Sequence, residues 1–486
     1  MLHGDWLARR ASYTPHRLAL VDVDRADQLS WRALHRQAHG AAADLRTRGI
    51  GVGDRVAVLA SNRLETIVLF FACARIGAIL VPLNWRLALP ELAAVVADAE
   101  PAVLFAEQEF AAVAAALRVP TAPLQAWSGL DGDTPVALAA DTPAMLLYTS
   151  GSTGTPKGAV LTHGNLAWNI VNTVSGWDVR GDDTTLAHTP LFHTGGWNVL
   201  TLPLLHQGGT VLLTRAFDPD RTLDIIAEHG VSVLFAVPTM FTDLLVAHDA
   251  RPTDLSSLRW AISGGAPCPL PLIEAYGALG VPLKQGYGLT EVGPNCFVFP
   301  DGHEIARCGS VGLPMLHLSM RLVDENGDEV GPGVVGELQL RGPTVCAGYW
   351  RNPTATAAAL APNGWFATGD LLRRSSDGWY SVVGRRKEMF ISGGENVYPA
   401  EVERVLYGIP AVLEAAVVPT PHPRWGEVGH AFVATQGAAD PEAIRAVCRT
   451  ALAGYKVPKR VTILPELPKG PTGKIARSLL IEQAAL

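Results

Sequence analysis

The chain reads as an α/β protein: a large N-terminal domain of layered α/β sheets with a β-rich subdomain, then a small α+β C-terminal domain. Three observations predict this. Strand and helix signals alternate from the start to near residue 320, the rhythm of mostly parallel sheets. The texture then turns to strands around an Asn326-Gly327 turn. A short charged joint, Gly384-Arg-Arg-Lys387, finally sets apart about 100 residues, a usual size for a small domain.

Taken in order, Arg55 to Ala60 predicts a strand, and Leu64 to Leu83 a buried helix. That stretch is apolar enough to raise a membrane span, but Glu65, Arg75 and Pro82 interrupt it. Ala111 to Ala116 is alanine-biased helix, and Ala144 to Tyr148 a short buried strand. Asp220 to His229 predicts a helix stopped by Gly230, and Val231 to Val237 a buried strand closed by Pro238. Trp260 to Ser263, Met320 to Val323 and Gly336 to Arg341 read as strands. After the joint come a helix (Ala400 to Leu406), strands (Leu413 to Val418, His430 to Thr435) and a helix (Pro441 to Leu452).

Bulk composition bounds the function. The 486 residues are 48% hydrophobic and 17% charged, which allows a large core and opposes disorder. A net charge of −7, from 46 acidic and 39 basic residues, gives no reason to expect nucleic acid or an anionic membrane as partner. The six cysteines show no CxxC spacing, so a disulfide scaffold or zinc site is not expected and a reducing, cytoplasmic compartment is the simpler reading. The N-terminal Met1-Leu-His-Gly-Asp-Trp has no apolar signal core.

The sharpest chemical signal is TSGSTGTPKG at 149–158, after the Ala144 to Tyr148 strand. Seven consecutive hydroxyl or glycine residues leave no bulky side chain to block approach, and their amides, hydroxyls and Lys157 suit a polyphosphate. The pattern is not a Walker loop, because Pro156, not glycine, precedes the lysine. A flexible Ser/Gly linker would need neither the preceding strand nor the terminal lysine.

Six further blocks follow: LFHTGG at 191–196, GGAP at 264–267, QGYGLTE at 285–291, WFATGD at 365–370, GRRKEMFISGGENVYPAEVE at 384–403 and PKGPTGKI at 468–475. In this order, over almost the whole length, they resemble the adenylate-forming superfamily of acyl-CoA synthetases, adenylation domains and firefly luciferase. The resemblance implies an AMP-binding domain over 1–384, a hinge at 385–387 and a mobile C-terminal domain over 388–486. It implies ATP, Mg²⁺ and coenzyme A as a co-substrate. A carboxylic acid is a poor electrophile because hydroxide would have to leave; transfer to the α-phosphate of ATP supplies AMP as a better leaving group, if the protein aligns the two and screens charge.

Residue by residue, the resemblance gives the phosphates to Thr149, Ser150, Gly151, Ser152, Thr153, Gly154 and Lys157. It gives the adenine pocket and one acyl wall to Gly264, Gly265 and Ala266, and the nucleotide loop to Gln285, Gly286, Tyr287, Gly288 and Thr290, with Tyr287 stacking on adenine. Glu291 and Thr149 are the implied metal ligands, and Asp370 with Arg385 the ribose contacts. Ala367 departs from the family's frequent basic residue there without removing Thr368, Gly369 or Asp370. Lys387 is the implied pivot, and Ser392, Gly393 and Gly394 the pantetheine tunnel. Lys474 is the implied catalytic lysine, with Glu291, Thr149 and His193 as catalytic companions. The implied acyl pocket comprises His193, Trp197, Val237, Gly264 and Gly288, with Phe235 to Thr239 as further candidate walls.

Bland readings stand beside these for single residues: a turn for Asp370, a surface lysine for Lys474, a core imidazole for His193. The stretch from His193 to Val199 holds no acid to pair with an α-ammonium, which favours an acid without an α-amine. The expected reaction is acid to acyl-AMP and then to acyl-CoA. A fatty acid is the favoured class and an aryl or o-succinylbenzoate-type acid the alternative. Transfer to a carrier-protein phosphopantetheine, a luciferase-like oxygenase and a non-catalytic adenylate binder are the rivals. No integral membrane segment is expected, and a homodimer is possible.

Overall fold

A computed structural model of the chain describes residues 5–128, 135–150, 156–470 and 474–484. Among these residues a seven-stranded sheet runs in the order Leu283–Gln285, Trp260–Ser263, Val233–Ala236, Thr184–Ala187, Thr210–Leu213, Leu18–Asp22, Asp27–Ser30. All its pairings are parallel except the last hairpin. A six-stranded sheet runs Thr121–Pro123, Val103–Ala106, Arg55–Leu59, Ile79–Pro82, Pro143–Ser150, Pro156–Thr162. It too is parallel until its final antiparallel pair. One core joins the sheets: Leu20 from the first and Val56 from the second share it with the helix residues Trp31, Phe71 and Trp197.

Local chemistry explains the elements. The helix Leu64–Ile76 buries every residue except Glu65, because both its faces meet the core. It stops at Gly77, whose φ of 78° is left-handed and whose added Cβ would press on Val52 at 2.9 Å. The chain then enters the strand Ile79–Pro82. The single helix expected over Leu64 to Leu83 is therefore a helix and a strand; a run that is apolar throughout carries no period to separate them. The helix Pro219–His229 follows its signals: Asp218 accepts from the Arg221 N–H at 2.8 Å, Pro219 opens the first turn, and Gly230 closes it at φ 62°.

Next comes an antiparallel four-stranded sheet, Ser319–Val323, Val335–Arg341, Phe366–Arg374 and Tyr380–Arg385. The C-terminal sheet orders Glu395–Val397, Phe390–Ser392, Gly426–Thr435 and Val412–His422, with Arg460–Leu464 parallel to Gly426–Thr435. It has its own core around Val402, Leu406, Val417 and Val433. Among the described residues, no helix is long and apolar enough to cross a membrane.

Function-bearing loops leave the seven-stranded sheet at one edge. Thr184–Ala187, Val233–Ala236, Trp260–Ser263 and Leu283–Gln285 are parallel neighbours, so their carboxyl ends lie side by side. The loops that follow carry LFHTGG, the Val237 turn, GGAP and GYGLTE. A crevice at the carboxyl ends of parallel strands is where open α/β sheets bind ligands.

His188, just past Thr184–Ala187, is 2% exposed and has no hydrogen-bond partner on either ring nitrogen among the described residues. Burial lowers its pKa from 6.5 to about 4. Between these values the unfolded chain binds a proton that the folded chain refuses, so stability falls as pH drops through this window and levels off below it. We expect His188→Gln to flatten the stability–pH slope between pH 6.5 and 4 in denaturant titrations, by about 3 kcal/mol across the window; an unchanged slope would contradict the assignment.

Candidate active site

The edge hairpin Pro143–Ser150/Pro156–Thr162 places Thr149 opposite Lys157 and Ser150 opposite Pro156. The Thr149 hydroxyl donates to the Lys157 carbonyl at 3.4 Å. Gly158 is needed because the Tyr148 ring lies 3.0 Å from where its Cβ would be. Gly151, Ser152, Thr153 and Gly154 lie outside the described residues. Backbone from the β-rich region covers the open edge: Val160 N–H donates to Gly348 at 2.9 Å and Trp350 N–H to Gly158 at 2.8 Å.

That cover brings in a residue the sequence reading did not name. The Tyr349 hydroxyl donates to Glu291 Oε1 at 2.9 Å, and the Lys157 ammonium sits 5.5 Å from the Tyr349 ring centre. Tyr349 thus links Lys157 to Glu291. Glu291 Oε2 has no hydrogen-bond partner among the described residues, and no three His, Cys, Asp or Glu side chains cluster there as a metal cage. One free carboxylate oxygen fits magnesium, which binds through few carboxylates and keeps waters and phosphate oxygens.

Tyr287 and Asp370 meet directly: the phenol donates to Asp370 Oδ2 at 2.6 Å. Arg385 Nε holds Asp370 Oδ1 at 3.0 Å from the paired strand position. Burial, then the Asp370 charge, raises the Tyr287 pKa well above the usual phenol value. The Tyr287 ring packs edge-on against Phe297, with centroids 5.5 Å apart. Asp370 is further fixed by its N–H donating to Thr368 Oγ1 at 3.1 Å. Thr290 is half-buried in the same loop.

The glycine-rich loops are shaped by close approach. Gly264 lets the Phe235 ring come within 3.0 Å of its missing Cβ, and Gly265 takes φ +82° beside Val237. A side chain at Gly288 would enter the Gly293 and Pro294 backbone, and one at Gly286 would press on Ile262. The Gln285 side chain braces the loop: it accepts from Cys268 N–H at 2.6 Å and donates to Ser263, Ala266 and Gly286 carbonyls. Its amide is therefore committed to the protein.

On the acid side, the His193 Nε2 is buried without a partner among the described residues. Burial, then the cations Lys474 and Arg86, lower its pKa to about 4, so the ring is neutral at pH 7. Arg86, also unnamed by the sequence reading, lies 4.9 Å from the Trp85 ring centre and 5.7 Å from that of Phe192. Trp197 is not a pocket wall. It is fully buried, packs on Phe70 at 5.4 Å and donates its indole N–H to the Leu191 carbonyl. The π turn Gly195–Val199 rotates it into the core. Phe235 lies 3.0 Å from the Cβ positions of both Gly195 and Gly264. Beside it, Thr185, Thr189, Gly195, Gly196 and Thr201 line a cavity of about 10 Å³, room for one water.

Lys474 comes from the C-terminal domain, and its carbonyl accepts from Gly470 N–H at 2.8 Å. Arg477 anchors the segment, with Glu403 at 2.7 Å and Glu388 at 3.5 Å. The Lys474 ammonium keeps solvent access, yet the enclosing protein, ahead of Arg385, lowers its pKa against the pull of Asp370, Glu291 and Glu388. The charges of Asp370, Glu291 and Glu388 thus favour this ammonium, and its own charge disfavours protonation of His193.

Other expected residues lie elsewhere. Lys387 is exposed. Ser392 is buried at the base of a hairpin whose turn residues Gly393 and Gly394 have φ 62° and 88°, and Gly393 N–H donates to Trp425 O at 2.9 Å. Among the described residues, no hydrogen bond or ion pair ties these four to Asp370, Glu291 or His193.

Residues 7–350 match the family model for AMP-binding enzyme, and 401–474 that for the AMP-binding enzyme C-terminal domain. The chain belongs to the AMP-binding enzyme family. It is an adenylate-forming enzyme of the acid–CoA ligase type. This AMP-binding enzyme is 44% identical to a feruloyl-CoA synthase of Amycolatopsis over 482 residues, 98% of this chain and 97% of that one. It is 38% identical to an indoleacetate–CoA ligase of Aromatoleum aromaticum, covering 98% and 96%. Its fold superposes on o-succinylbenzoate CoA synthetase (MenE) of Bacillus subtilis in complex with the acyl-adenylate intermediate OSB-AMP, with TM-score 0.89, 31% identity and 98% of each chain covered. The same synthetase is known with ATP and magnesium ion, at TM-score 0.89.

The geometry at His193 predicts a measurable titration. In ¹³Cε1-histidine spectra its ring is expected to titrate near 4, and Lys474→Ala to move that value upward by removing a repelling cation. A His193 pKa near 6.5 that ignores Lys474→Ala would place the two residues apart.

Proposed function

We propose that this enzyme activates an aromatic carboxylic acid with ATP and magnesium and transfers the acyl group to coenzyme A. The observation that carries the reading is Asp370, held by the Tyr287 phenol at 2.6 Å and Arg385 at 3.0 Å, with the C-terminal-domain Lys474 within reach of its charge. The carboxylate attacks the α-phosphorus of ATP; an oxygen–phosphorus bond forms to give acyl-AMP, and pyrophosphate leaves with the broken bond's electrons. The coenzyme A thiol, losing its proton, then attacks the acyl carbon, giving the thioester and AMP.

In this scheme Lys474 bridges the attacking carboxylate and the α-phosphate as charge shifts between them. Asp370, held by Tyr287 and Arg385, takes the ribose hydroxyls. Thr149 and Lys157 face the phosphates. Glu291 and Thr149 would hold magnesium, which screens the phosphate charge. Neutral His193 adds no charge to the acid side. For the thioester step we place the pivot at Arg385–Lys387, by which the hairpin of Ser392, Gly393 and Gly394 would reach the acyl-adenylate.

The fatty-acid expectation gives way to the aryl alternative. Two relatives carry the names feruloyl-CoA synthase and indoleacetate–CoA ligase, and the similar synthetase holds an o-succinylbenzoyl adenylate. Phe235 between Gly195 and Gly264 supports the same choice: a ring at the floor suits a compact, flat acid over a long flexible chain.

The deciding experiment is pyrophosphate release against a panel of aryl, arylalkanoic and fatty acids, with and without coenzyme A. Release should be strongest with aromatic acids and should yield the matching thioester when coenzyme A is present. Lys474→Ala should cost at least a hundredfold in adenylation while sparing thioester formation from supplied acyl-AMP, the scale of losing one charge-stabilising donor. Equal losses in the two half-reactions would remove Lys474 from the role, and release with fatty acids alone would overturn the aryl reading. Phe235→Ala should shift the preferred acid toward longer substrates by about tenfold in relative kcat/KM, a pocket-sized effect; an unmoved profile would take Phe235 out of the floor.

A further inference from the structure

Asn62 lies far in sequence from every motif of the site. Its side chain is 3% exposed and makes three hydrogen bonds, all to the segment that leads into LFHTGG. Nδ2 donates to the Ala187 carbonyl at 3.0 Å and to the Thr189 carbonyl at 3.1 Å, and Oδ1 accepts from the Leu191 N–H at 2.9 Å. Two acceptors and one donor on the backbone fix which way the amide points. The other end of Leu191 is held as well, its carbonyl by the Trp197 indole. The Pro190 carbonyl accepts from His193 N–H at 3.0 Å, and the His193 carbonyl from Gly196 N–H at 3.1 Å.

The support beneath Asn62 is ionic and buried. Ser61 donates to Glu107 through its N–H at 3.1 Å and its hydroxyl at 2.7 Å. Arg63 reaches Glu107 at 2.6 Å and Asp22 at 3.2 Å. Asp22 ends a strand of the seven-stranded sheet and Glu107 follows a strand of the six-stranded one. Residues 61–63 are thus clamped between the sheets, and Asn62 passes that rigidity to the loop bearing His193 and Gly195.

We propose that Asn62 is a positioning residue for the acid side of the active site: it sets His193 and the Gly195–Gly196 turn against Phe235 without touching substrate. The kinetic part of its test rests on the aryl-acid ligase reading; the spectroscopic part does not. Asn62→Asp keeps the acceptor for Leu191 N–H but turns a carboxylate oxygen toward two carbonyls. Asn62→Ser is smaller and serves if the first variant does not fold.

Both variants should raise KM for the acid roughly tenfold, the scale of one lost hydrogen bond at the loop, while KM for ATP stays within about twofold. In ¹³Cε1-histidine spectra of the ligand-free enzyme, the His193 resonance should shift and that of His430, in the C-terminal sheet, should stay. An unmoved His193 resonance, or KM values for acid and ATP that rise together, would overturn the proposal. Wild-type enzyme that releases no pyrophosphate with any acid would defeat the ligase reading but leave the His193 outcome to decide the role of Asn62.

Discussion

The constraint on which the site depends is the parallel alignment of four neighbouring strands, Leu283–Gln285, Trp260–Ser263, Val233–Ala236 and Thr184–Ala187. Parallel pairing sends every return connection to the far end of the sheet, so the carboxyl ends accumulate loops. Glycines let those loops close on one another: Gly264 and Gly195 accept the Phe235 ring, and Gly288 lies under the Gly293–Pro294 backbone. The crevice is a product of backbone proximity before any side chain is placed.

Electrostatics then divides the crevice. Lys157 and Glu291 meet through Tyr349; Asp370 meets Tyr287 and Arg385; Lys474 answers to both carboxylates. Lys157, Arg385 and Lys474 are thereby interleaved with Glu291, Asp370 and Glu388. The acid side is different. His193 is held neutral by burial and by the cations Lys474 and Arg86, the first of which comes from the C-terminal domain. Retracting that domain would remove the charge that adenylation needs and uncover the acyl carbon, a physical reason to put the two half-reactions in two arrangements.

Much of this was legible because each motif is contiguous. GGAP and QGYGLTE sit at the ends of neighbouring strands of the seven-stranded sheet, and Thr149 and Ser150 end a strand of the six-stranded one. Asp370 and Arg385 are fifteen positions apart, yet cross-strand pairing joins them. What sequence could not show is contact across sheets. Tyr349 reaches Glu291 over 58 positions, and Asn62 reaches Leu191 over 129. Neither lies in a chemically conspicuous run. Trp197 was misread for a different reason: a tryptophan after two glycines can face pocket or core, and only the π turn decides. The Leu64 to Leu83 stretch was misread because uniform hydrophobicity has no period.

The inward turn of Trp197 and the placement of Phe235 have a joint consequence. A tryptophan in the pocket would have made the acyl site narrow from the side. Buried, it instead fixes the Leu191 carbonyl, while Asn62 fixes the Leu191 N–H. The loop under His193 is therefore held from both faces, and in the proposed acyl site Phe235 and the two glycines it touches are left to set the dimensions. Shape selection by a rigid floor is cheap to alter in one residue, whereas the clamp that keeps the wall still involves both sheets and three buried ionic side chains, Asp22, Arg63 and Glu107. Within such a frame, a change at Phe235 leaves untouched the antiparallel sheet that carries Asp370 and Arg385.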